Sequence, residues 1–463
     1  MKPLFDFIKN YTTLLACLFL YILAQFFTLF DNNHDGVIHN VSLRHLINYI
    51  LYAIGLVLII VLCTKSKYSI VKNISFSIFV SVFFWVFIEL VCWGMNKTKI
   101  IDFKSPSNAL LFVDSNVENT GKKPFWGDFN SVFGRWRMPN DSLQKNRCDD
   151  NTLLSYKTNS YGARDRERSL KNTTHKKRIL FLGDSFIEGI MVNTSNRCSD
   201  ILEKNTGFEH LNFGINGTSP INYYLIYKTL AKKFDHDVVV VGVLPANDFE
   251  DYSDGDEAGL INFPIYRPYW KNSTHGYELK YSLASVNQAY SSLSIYNKPV
   301  AIYHTKDSVY QNLSFTKKLK SEFAANSYIF GLVGEMSKKK VIEKYNQTSI
   351  FGNFPKDKWA TFSHSLKKLI EEAQGKQVIV LTIPTLKDIN LFNKVHKNVL
   401  ATQLLNFCQE NHAIYIDLLP EFSALKNPAE LYVQCDGHWN EKGEKWAAEF
   451  LFKHPVYQKI ITF

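Results

Sequence analysis

The stretch Arg178-Ile-Leu-Phe-Leu-Gly-Asp-Ser-Phe-Ile-Glu-Gly189 decides the fold of the larger part of this 463-residue chain. Its apolar run from Ile179 to Leu182 is typical of a strand buried on both faces of a parallel sheet. Gly183 follows the run, and glycine suits a sharp turn out of a strand because it adopts backbone angles closed to other residues. Ser185 is therefore predicted at the carboxyl edge of the sheet, where open α/β folds bind ligands. Taken alone, Gly-Asp-Ser is also a common turn with an N-cap serine.

Strand and helix patterns alternate from Arg178 towards the C-terminus. The predicted strands are Arg178–Gly183, His210–Gly214, Asp237–Leu244, Gln377–Ile383 and Ala413–Leu418. Helical patterns lie between them, as in Phe362–Gln374, which Gly375 ends. This alternation predicts a parallel sheet with helices on both faces. It breaks at about 250–360, where two tyrosine-rich segments predict a hairpin, and we interpret that stretch as an insertion or cap over the carboxyl edge.

Three apolar blocks in residues 1–95 precede this region, at about 11–30, 46–64 and 74–94. At about 1.5 Å per residue each block approaches the roughly 30 Å of a bilayer core. The blocks carry almost no polar face, which argues against buried core helices, so we predict three transmembrane helices. Lysines in the connecting loops place the N-terminus in the cytoplasm and everything after Gly94 outside it, in the periplasm or the extracellular space. Glu89 in the third block is either a functional group or a residue explained by helix packing or the membrane interface.

Residues 96–175 are polar and contain few long apolar runs. The pair Phe125-Trp126 and the cluster Gly134-Arg-Trp-Arg137 predict an extension that is folded onto the following domain and is not a free linker. We therefore expect three parts: the membrane region, this extension, and an α/β domain at 176–463 that contains the insertion.

Composition excludes some classes of function. The net charge of +10 is spread through polar loops, which gives little support to nucleic-acid binding. The seven cysteines form no zinc-type spacing, so no metal site is expected. The soluble part contains four cysteines: Cys148, Cys198, Cys408 and Cys435. They allow one or two disulfides, whose pairing the sequence does not assign.

A serine becomes a nucleophile when a base takes its proton and a carboxylate orients that base. Among 13 histidines, His438 is the one with an aspartate two residues before it, Asp436, and it follows the last predicted strand. A short loop can fold Asp436 back onto the imidazole. An isolated Asp-Gly-His is also compatible with an ordinary polar turn.

Acyl transfer also needs donors aimed at the developing oxyanion. Gly217 follows the second predicted strand and offers a backbone N–H. Asn247 follows the third predicted strand and offers a side-chain amide. Each residue also fits plain turn chemistry.

These motifs, in this order and strand context, resemble those of the SGNH (GDSL-type) hydrolases over about residues 176–455. The segment Asn159-Ser-Tyr-Gly-Ala-Arg164 is similar to an Asn-x-x-Gly-x-Arg element that precedes the nucleophile in many extracytoplasmic members. The chain departs from the family pattern at Phe186, where the name motif has leucine. It departs again at Pro245, which replaces a glycine and puts the shape of the loop carrying Asn247 in doubt.

The resemblance implies a three-layer, flavodoxin-like α/β fold with an inserted cap. It implies Ser185 as nucleophile, His438 as general base and acid, and Asp436 as the residue that orients His438. The oxyanion would be held by the N–H groups of Ser185 and Gly217 and by the Asn247 amide. No cofactor or metal is implied.

Three functions are compatible with these residues. The first is a membrane-anchored serine esterase acting on O-acyl groups of extracytoplasmic glycans or lipids. The second is a polysaccharide O-acetyltransferase with the same triad, which would need a partner to supply acyl groups because three membrane helices are few for an acyl-donor carrier. The third is a non-catalytic membrane scaffold, against which the presence of all five site residues argues.

Overall fold

The computed structural model describes residues 37–38, 41–42, 55, 61, 68–101, 128–130, 132–249, 268–274, 276–281, 315–316, 327–336 and 348–462. The chain divides into two compact units. One consists of Met1–Val113 with Lys298–Lys340, and the other of Asp114–Asn297 with Val341–Phe463.

A five-stranded sheet forms the centre of the second unit. Its strands are β1 (Arg178–Leu182), β2 (Glu209–Asn212), β3 (Val238–Val243), β4 (Gln377–Thr382) and β5 (Ile414–Asp417). They lie in the order 2-1-3-4-5, and every neighbouring pair is parallel. All five predicted strands are present within two residues of their predicted ends, so the prediction of an α/β fold with a parallel central sheet is confirmed. The order 2-1-3-4-5 is that of flavodoxin-like folds.

Helices cover the sheet in two groups. Pro220–Thr229 packs against Lys356–Glu372, and Cys198–Thr206 packs against Glu441–Lys453. Right-handed crossovers between parallel strands place these two pairs on opposite faces. The remaining helices of the unit include Leu386–Val395, Val399–Glu410, Leu419–Ser423 and Pro455–Thr462. The predicted helix at 362–374 lies within Lys356–Glu372, where Phe362, Leu366 and Leu369 are buried.

The hydrophobic core runs along both faces of the inner strands. Every residue of β1 and β3 is buried, because their sequences Arg-Ile-Leu-Phe-Leu and Val-Val-Val-Val-Gly-Val offer apolar side chains to both helical layers. The one arginine in these strands, Arg178, is 1% exposed and forms an ion pair with Glu209 of β2.

Among the described residues of the second unit, three antiparallel hairpins accompany the sheet. Asp128–Asn130 pairs with Gly134–Trp136, and Ser142–Asn146 pairs with Leu153–Lys157. Pro268–Ser273 pairs with Gly276–Tyr281, which is the hairpin predicted in the insertion. The indole N–H of Trp270 in this hairpin donates to the Ser365 hydroxyl at 2.7 Å, so the hairpin is fixed to helix Lys356–Glu372.

The first unit contains helix Ser69–Lys97 and a short pairing of Val37–Ile38 with Val41–Ser42. Within the described residues, this is the one helix long and apolar enough to cross a membrane, with a mean hydropathy of 2.3. It contains the third predicted span. The predicted spans at 11–30 and 46–64 lie outside the described residues, apart from the helical residues Gly55 and Val61.

Glu89 of this helix has a structural partner. Its carboxylate accepts the Ser327 hydroxyl at 2.5 Å and the N–H groups of Tyr328 and Ile329 at 2.7 and 3.3 Å. These donors begin a helix at 328–336. These contacts are those of a packed helix pair, which is one of the explanations that the sequence left open for this acidic residue.

Candidate active site

The turn after β1 presents Ser185 at the carboxyl edge of the sheet. Asp184 is the N-cap of the short helix Ser185–Glu188, and its carboxylate accepts the Phe186 N–H at 2.9 Å. The helix lies so close to the sheet that a Cβ added to Gly183 or Gly242 would stand 2.4 Å from the Ile187 side chain. Both glycines are therefore needed for this close approach.

Ser185, His438 and Asp436 form a continuous hydrogen-bonded line. The Ser185 Oγ lies 2.7 Å from Nε2 of His438, and Nδ1 of the same ring is hydrogen-bonded to Asp436 Oδ1. With the Nδ1 proton directed at Asp436, Nε2 of the neutral ring is free to accept the serine proton. Burial by itself would raise the pKa of Asp436, but its hydrogen bond to His438 and the charge of that ring outweigh burial and lower the pKa below its usual value.

Aromatic rings hold the imidazole in place. The ring of Phe186 lies 4.8 Å from the ring of His438 and 5.1 Å, edge to face, from the ring of Trp439. Phe186, which stands where the name motif has leucine, thus packs directly on the candidate base His438. Because it adjoins Ser185 in the chain, the contact couples the orientation of the base to the nucleophile turn.

Asn247 lies beside the nucleophile turn. Its Nδ2 donates to Asp184 Oδ2 at 3.0 Å, and an amide nitrogen carries a second proton for another acceptor. Pro245, where the chain departs from the family pattern, opens a short helix, Pro245–Asp248, at a position that suits proline. Asp248 fixes this helix by accepting the Leu244 N–H at 2.9 Å and the Tyr223 hydroxyl at 2.9 Å.

Gly217 lies in the loop that follows β2. It is exposed and has a φ of 72°, a conformation that favours glycine. The preceding residue, Asn216, donates its N–H to Glu188 Oε2 at 2.6 Å. Since Glu188 ends the helix that Ser185 begins, one carboxylate ties the Gly217 loop to the nucleophile.

Two fully buried arginines from the extension hold this arrangement. Arg137 forms an ion pair with Glu188 at 2.8 Å and donates to the Gly214 carbonyl at 2.9 Å, which joins the nucleophile helix to the loop after β2. Arg164 donates to the carbonyls of Glu188, Gly189 and Val192 at 2.6–3.0 Å. The extension thus supplies cations that bind the carbonyls and the carboxylate at the end of the nucleophile helix.

A disulfide joins the extension to the loop of the candidate base. Cys148 is bonded to Cys435, with a Cα–Cα distance of 6.2 Å and 287 residues between them in sequence. Cys92, Cys198 and Cys408 are free and buried. The sequence allowed one or two bonds without assigning them, and this pair is the one formed among the described cysteines.

No group of three or more His, Cys, Asp or Glu side chains suited to a metal ion occurs in the part of the chain that the structure describes. The groups gathered at the sheet edge are a hydroxyl, an imidazole, a carboxylate and amide donors. These are the groups that nucleophilic acyl transfer requires.

No family model matches the sequence, and no curated protein matches it. Solved structures do show similarity. A member of the lipolytic protein G-D-S-L family from Veillonella parvula is 13% identical, with 60% of this chain and 98% of that protein covered and a TM-score of 0.30. TesA is 12% identical, with 62% of this chain and 99% of that protein covered and a TM-score of 0.28.

A third similar structure is a two-domain esterase active on acetylated mannans. It is 12% identical, with 62% of this chain and 49% of that protein covered and a TM-score of 0.28.

Several residues of the site were not predicted from the sequence. They act through contacts that are made only in the fold. Asp184 accepts from Asn247, Glu188 binds the Gly217 loop, and Phe186 supports His438. For Glu188 a signal existed, since an acidic residue inside an otherwise apolar nucleophile segment needs a buried partner. The cation that pairs with Glu188 is Arg137, which lies in the Gly134-Arg-Trp-Arg137 cluster.

Replacing Glu188 with glutamine is expected to destabilise the second unit by about 3–5 kcal/mol, because it leaves the charge of Arg137 buried without its partner. The thermal unfolding midpoint of the full chain measures this effect. Turnover of a small ester by the folded fraction should also fall, since the link to the Gly217 loop is weakened.

The matched control is Glu372→Gln, which breaks the more exposed pair with Lys232. It is expected to cost about 0–1 kcal/mol. Equal effects of the two substitutions would contradict the assigned role of the buried pair.

Proposed function

We propose that the chain is a serine esterase of the SGNH (GDSL) type that hydrolyses carboxylic esters through Ser185, His438 and Asp436. The observation that carries this proposal is the 2.7 Å contact between Ser185 Oγ and His438 Nε2, with Asp436 hydrogen-bonded behind the ring. A polar turn without a catalytic role has no need to bring residues 253 positions apart into this alignment.

The mechanism follows from the groups present. Ser185 Oγ attacks the ester carbonyl carbon while its proton passes to His438 Nε2, and the imidazolium formed is stabilised by Asp436. The carbonyl oxygen becomes an oxyanion, for which the N–H groups of Ser185 and Gly217 and the second proton of the Asn247 amide are the proposed donors. The bond to the alcohol breaks, and the alkoxide takes the proton from His438.

The acyl-enzyme is then released by a second attack. Water gives its proton to His438 and adds to the acyl carbon, the bond to Ser185 Oγ breaks, and the serine recovers its proton as the free acid leaves. If a sugar hydroxyl takes the place of water, the same steps transfer the acyl group. An O-acetyltransferase supplied by an acyl-donor partner is therefore the second candidate.

We further propose that the unit carrying the site lies outside the cytoplasm and is anchored through the N-terminal region. The disulfide between Cys148 and Cys435 supports an oxidising compartment, where such bonds persist. The apolar helix Ser69–Lys97 supports an anchor by its length and composition. The proposed substrates are accordingly O-acyl groups on extracytoplasmic glycans or lipids.

Ser185→Ala is expected to reduce turnover of a nitrophenyl acetate to the rate of buffer while the thermal unfolding midpoint stays near that of the parent, because the substitution removes only the nucleophilic oxygen. Substantial activity in the alanine variant would exclude the assignment.

A labelled acyl ester with an added glycan separates the two candidate functions. Release of labelled free acid indicates the esterase, and transfer of the label to the glycan indicates the transferase.

The proposed orientation is tested by Lys171→Cys, since the Lys171 side chain is 84% exposed in the second unit. A membrane-impermeant maleimide should label this variant in intact cells. The parent chain is the control, because its free cysteines among the described residues are buried. Labelling that appears only after lysis would place the unit inside the cell.

A further inference from the structure

The hairpin of residues 142–157 contacts both loops that carry the candidate catalytic groups. Its inward side chains Leu154 and Tyr156 are 0% exposed and form a small apolar cluster, apart from the main core, with Ile190, Met191 and Val433. The first two partners belong to the loop after the nucleophile helix. Val433 begins the 433–438 loop, which ends at His438. One hairpin therefore packs on both sides of the site.

Polar contacts strengthen the packing of the hairpin on the nucleophile side. The Tyr156 hydroxyl donates to the Ile190 carbonyl, and the Ser155 N–H donates to Asn193 Oδ1 at 2.8 Å. Both acceptors lie just after the nucleophile helix. The hairpin thus fixes the segment through which Ser185 is connected to the rest of the domain.

Arg147 at the tip of the hairpin joins three segments. Its guanidinium is 6% exposed and forms ion pairs with Asp149 and Asp150 of its own turn. It also donates to both carboxylate oxygens of Glu441 at 2.8 Å and to the Met191 carbonyl at 3.1 Å. Glu441 begins the helix that follows His438. One guanidinium nitrogen, Nη1, makes these contacts and links the nucleophile side of the site to the base side, while Nε and Nη2 pair with Asp149 and Asp150.

The disulfide adds a covalent link at the adjacent position. Cys148 follows Arg147, and Cys435 directly precedes Asp436. The Asp436 and His438 side chains are 27% and 21% exposed, and Gly437 between them has a φ of 90°. This loop is closed on itself, because the Val433 N–H donates to the His438 carbonyl at 2.8 Å and the Gly437 N–H to the Val433 carbonyl at 2.7 Å. Since it has little burial of its own, its position relative to Ser185 depends on what holds its ends and on the Phe186 ring that packs on the imidazole.

We propose that the 142–157 hairpin, through Arg147 and the Cys148–Cys435 bond, is a positioning element that holds the Asp436–His438 pair at bonding distance from Ser185. The proposal rests on the proposed function of these three residues. It makes the disulfide a requirement for full turnover, so that the enzyme reaches full activity only after export to an oxidising compartment. Neither Arg147 nor the cystine contacts the reacting atoms in this account.

A positioning role and a purely structural role differ in a measurable way. If the bond acts through Asp436, its removal harms catalysis only while Asp436 is able to orient the histidine. A displacement of about 1 Å at a reacting pair lowers rates by up to about 100-fold, whereas substrate binding elsewhere is little affected. The expected signature is a loss in kcat with KM nearly unchanged, and a loss that is not additive with substitution of Asp436.

The experiment is a double-mutant cycle on the full chain in detergent, with a nitrophenyl ester as substrate. Cys148→Ser with Cys435→Ser should lower kcat by about 10–100-fold in the parent background and by less than about 3-fold in the Asp436→Asn background. Equal factors in the two backgrounds would overturn the positioning role. Turnover in the parent that does not depend on Ser185 would count against the proposed function and, with it, against this role.

Two further measurements keep the test decisive if the double variant folds poorly. Arg147→Met leaves the disulfide intact and should lower kcat by about 10-fold. Arg147→Lys should recover little, because one ammonium group cannot pair with Asp149 and Asp150 and also reach Glu441 and the Met191 carbonyl. The matched control is Arg166→Met, an arginine of the same extension that is 52% exposed and pairs with Asp200 and Glu203. An equal loss for Arg166→Met would contradict a specific role of Arg147.

Reduction of the folded parent by dithiothreitol is the second measurement. The reagent converts the bond to two thiols and becomes a cyclic disulfide itself. Turnover should fall by the same 10–100-fold and return on reoxidation, while the Cys148→Ser/Cys435→Ser double variant, which lacks the bond, is insensitive to the reagent. Full turnover in the reduced, folded parent would overturn the positioning role and leave the Ser185 assignment intact.

Discussion

The whole site depends on one constraint of the parallel sheet: the carboxyl ends of all five strands meet at the same edge. In the order 2-1-3-4-5 the chain leaves β1 and β3 towards opposite sides, which opens a crevice between them. Ser185 follows β1 and Asn247 follows β3, so both residues border this crevice. The 433–438 loop follows β5 along the chain and brings His438 back to the same place.

Charged groups in the interior carry much of the local order around the nucleophile. Arg137, Arg164 and Glu188 are fully buried, and the burial of such charges is tolerated only where they are paired and hydrogen-bonded. Here their partners are the ends of the nucleophile helix and the loop after β2. The extension that supplies both arginines is therefore part of the scaffold of the site and cannot be regarded as a linker.

Local patterns predicted the parts of the molecule that local physics controls. The continuous apolar runs of β1 and β3 identified strands buried on both faces, and the spacing of Asp436 and His438 identified a carboxylate and an imidazole able to meet. Contacts between distant segments could not be predicted from the sequence. The Arg137–Glu188 pair spans 51 positions, and the Cys148–Cys435 bond spans 287, so nothing local in the sequence selects these partners. Glu89 was ambiguous for the same reason, since its partners lie at 327–329.

The proposed function requires that Ser185 is a nucleophile activated by His438. The most direct measurement is the site of covalent modification by a fluorophosphonate, determined by mass spectrometry on the native full chain. The account predicts one adduct per chain on the peptide that contains Ser185, and its loss in the His438→Ala variant. Absence of an adduct on the folded protein, or an adduct on another serine, would contradict it.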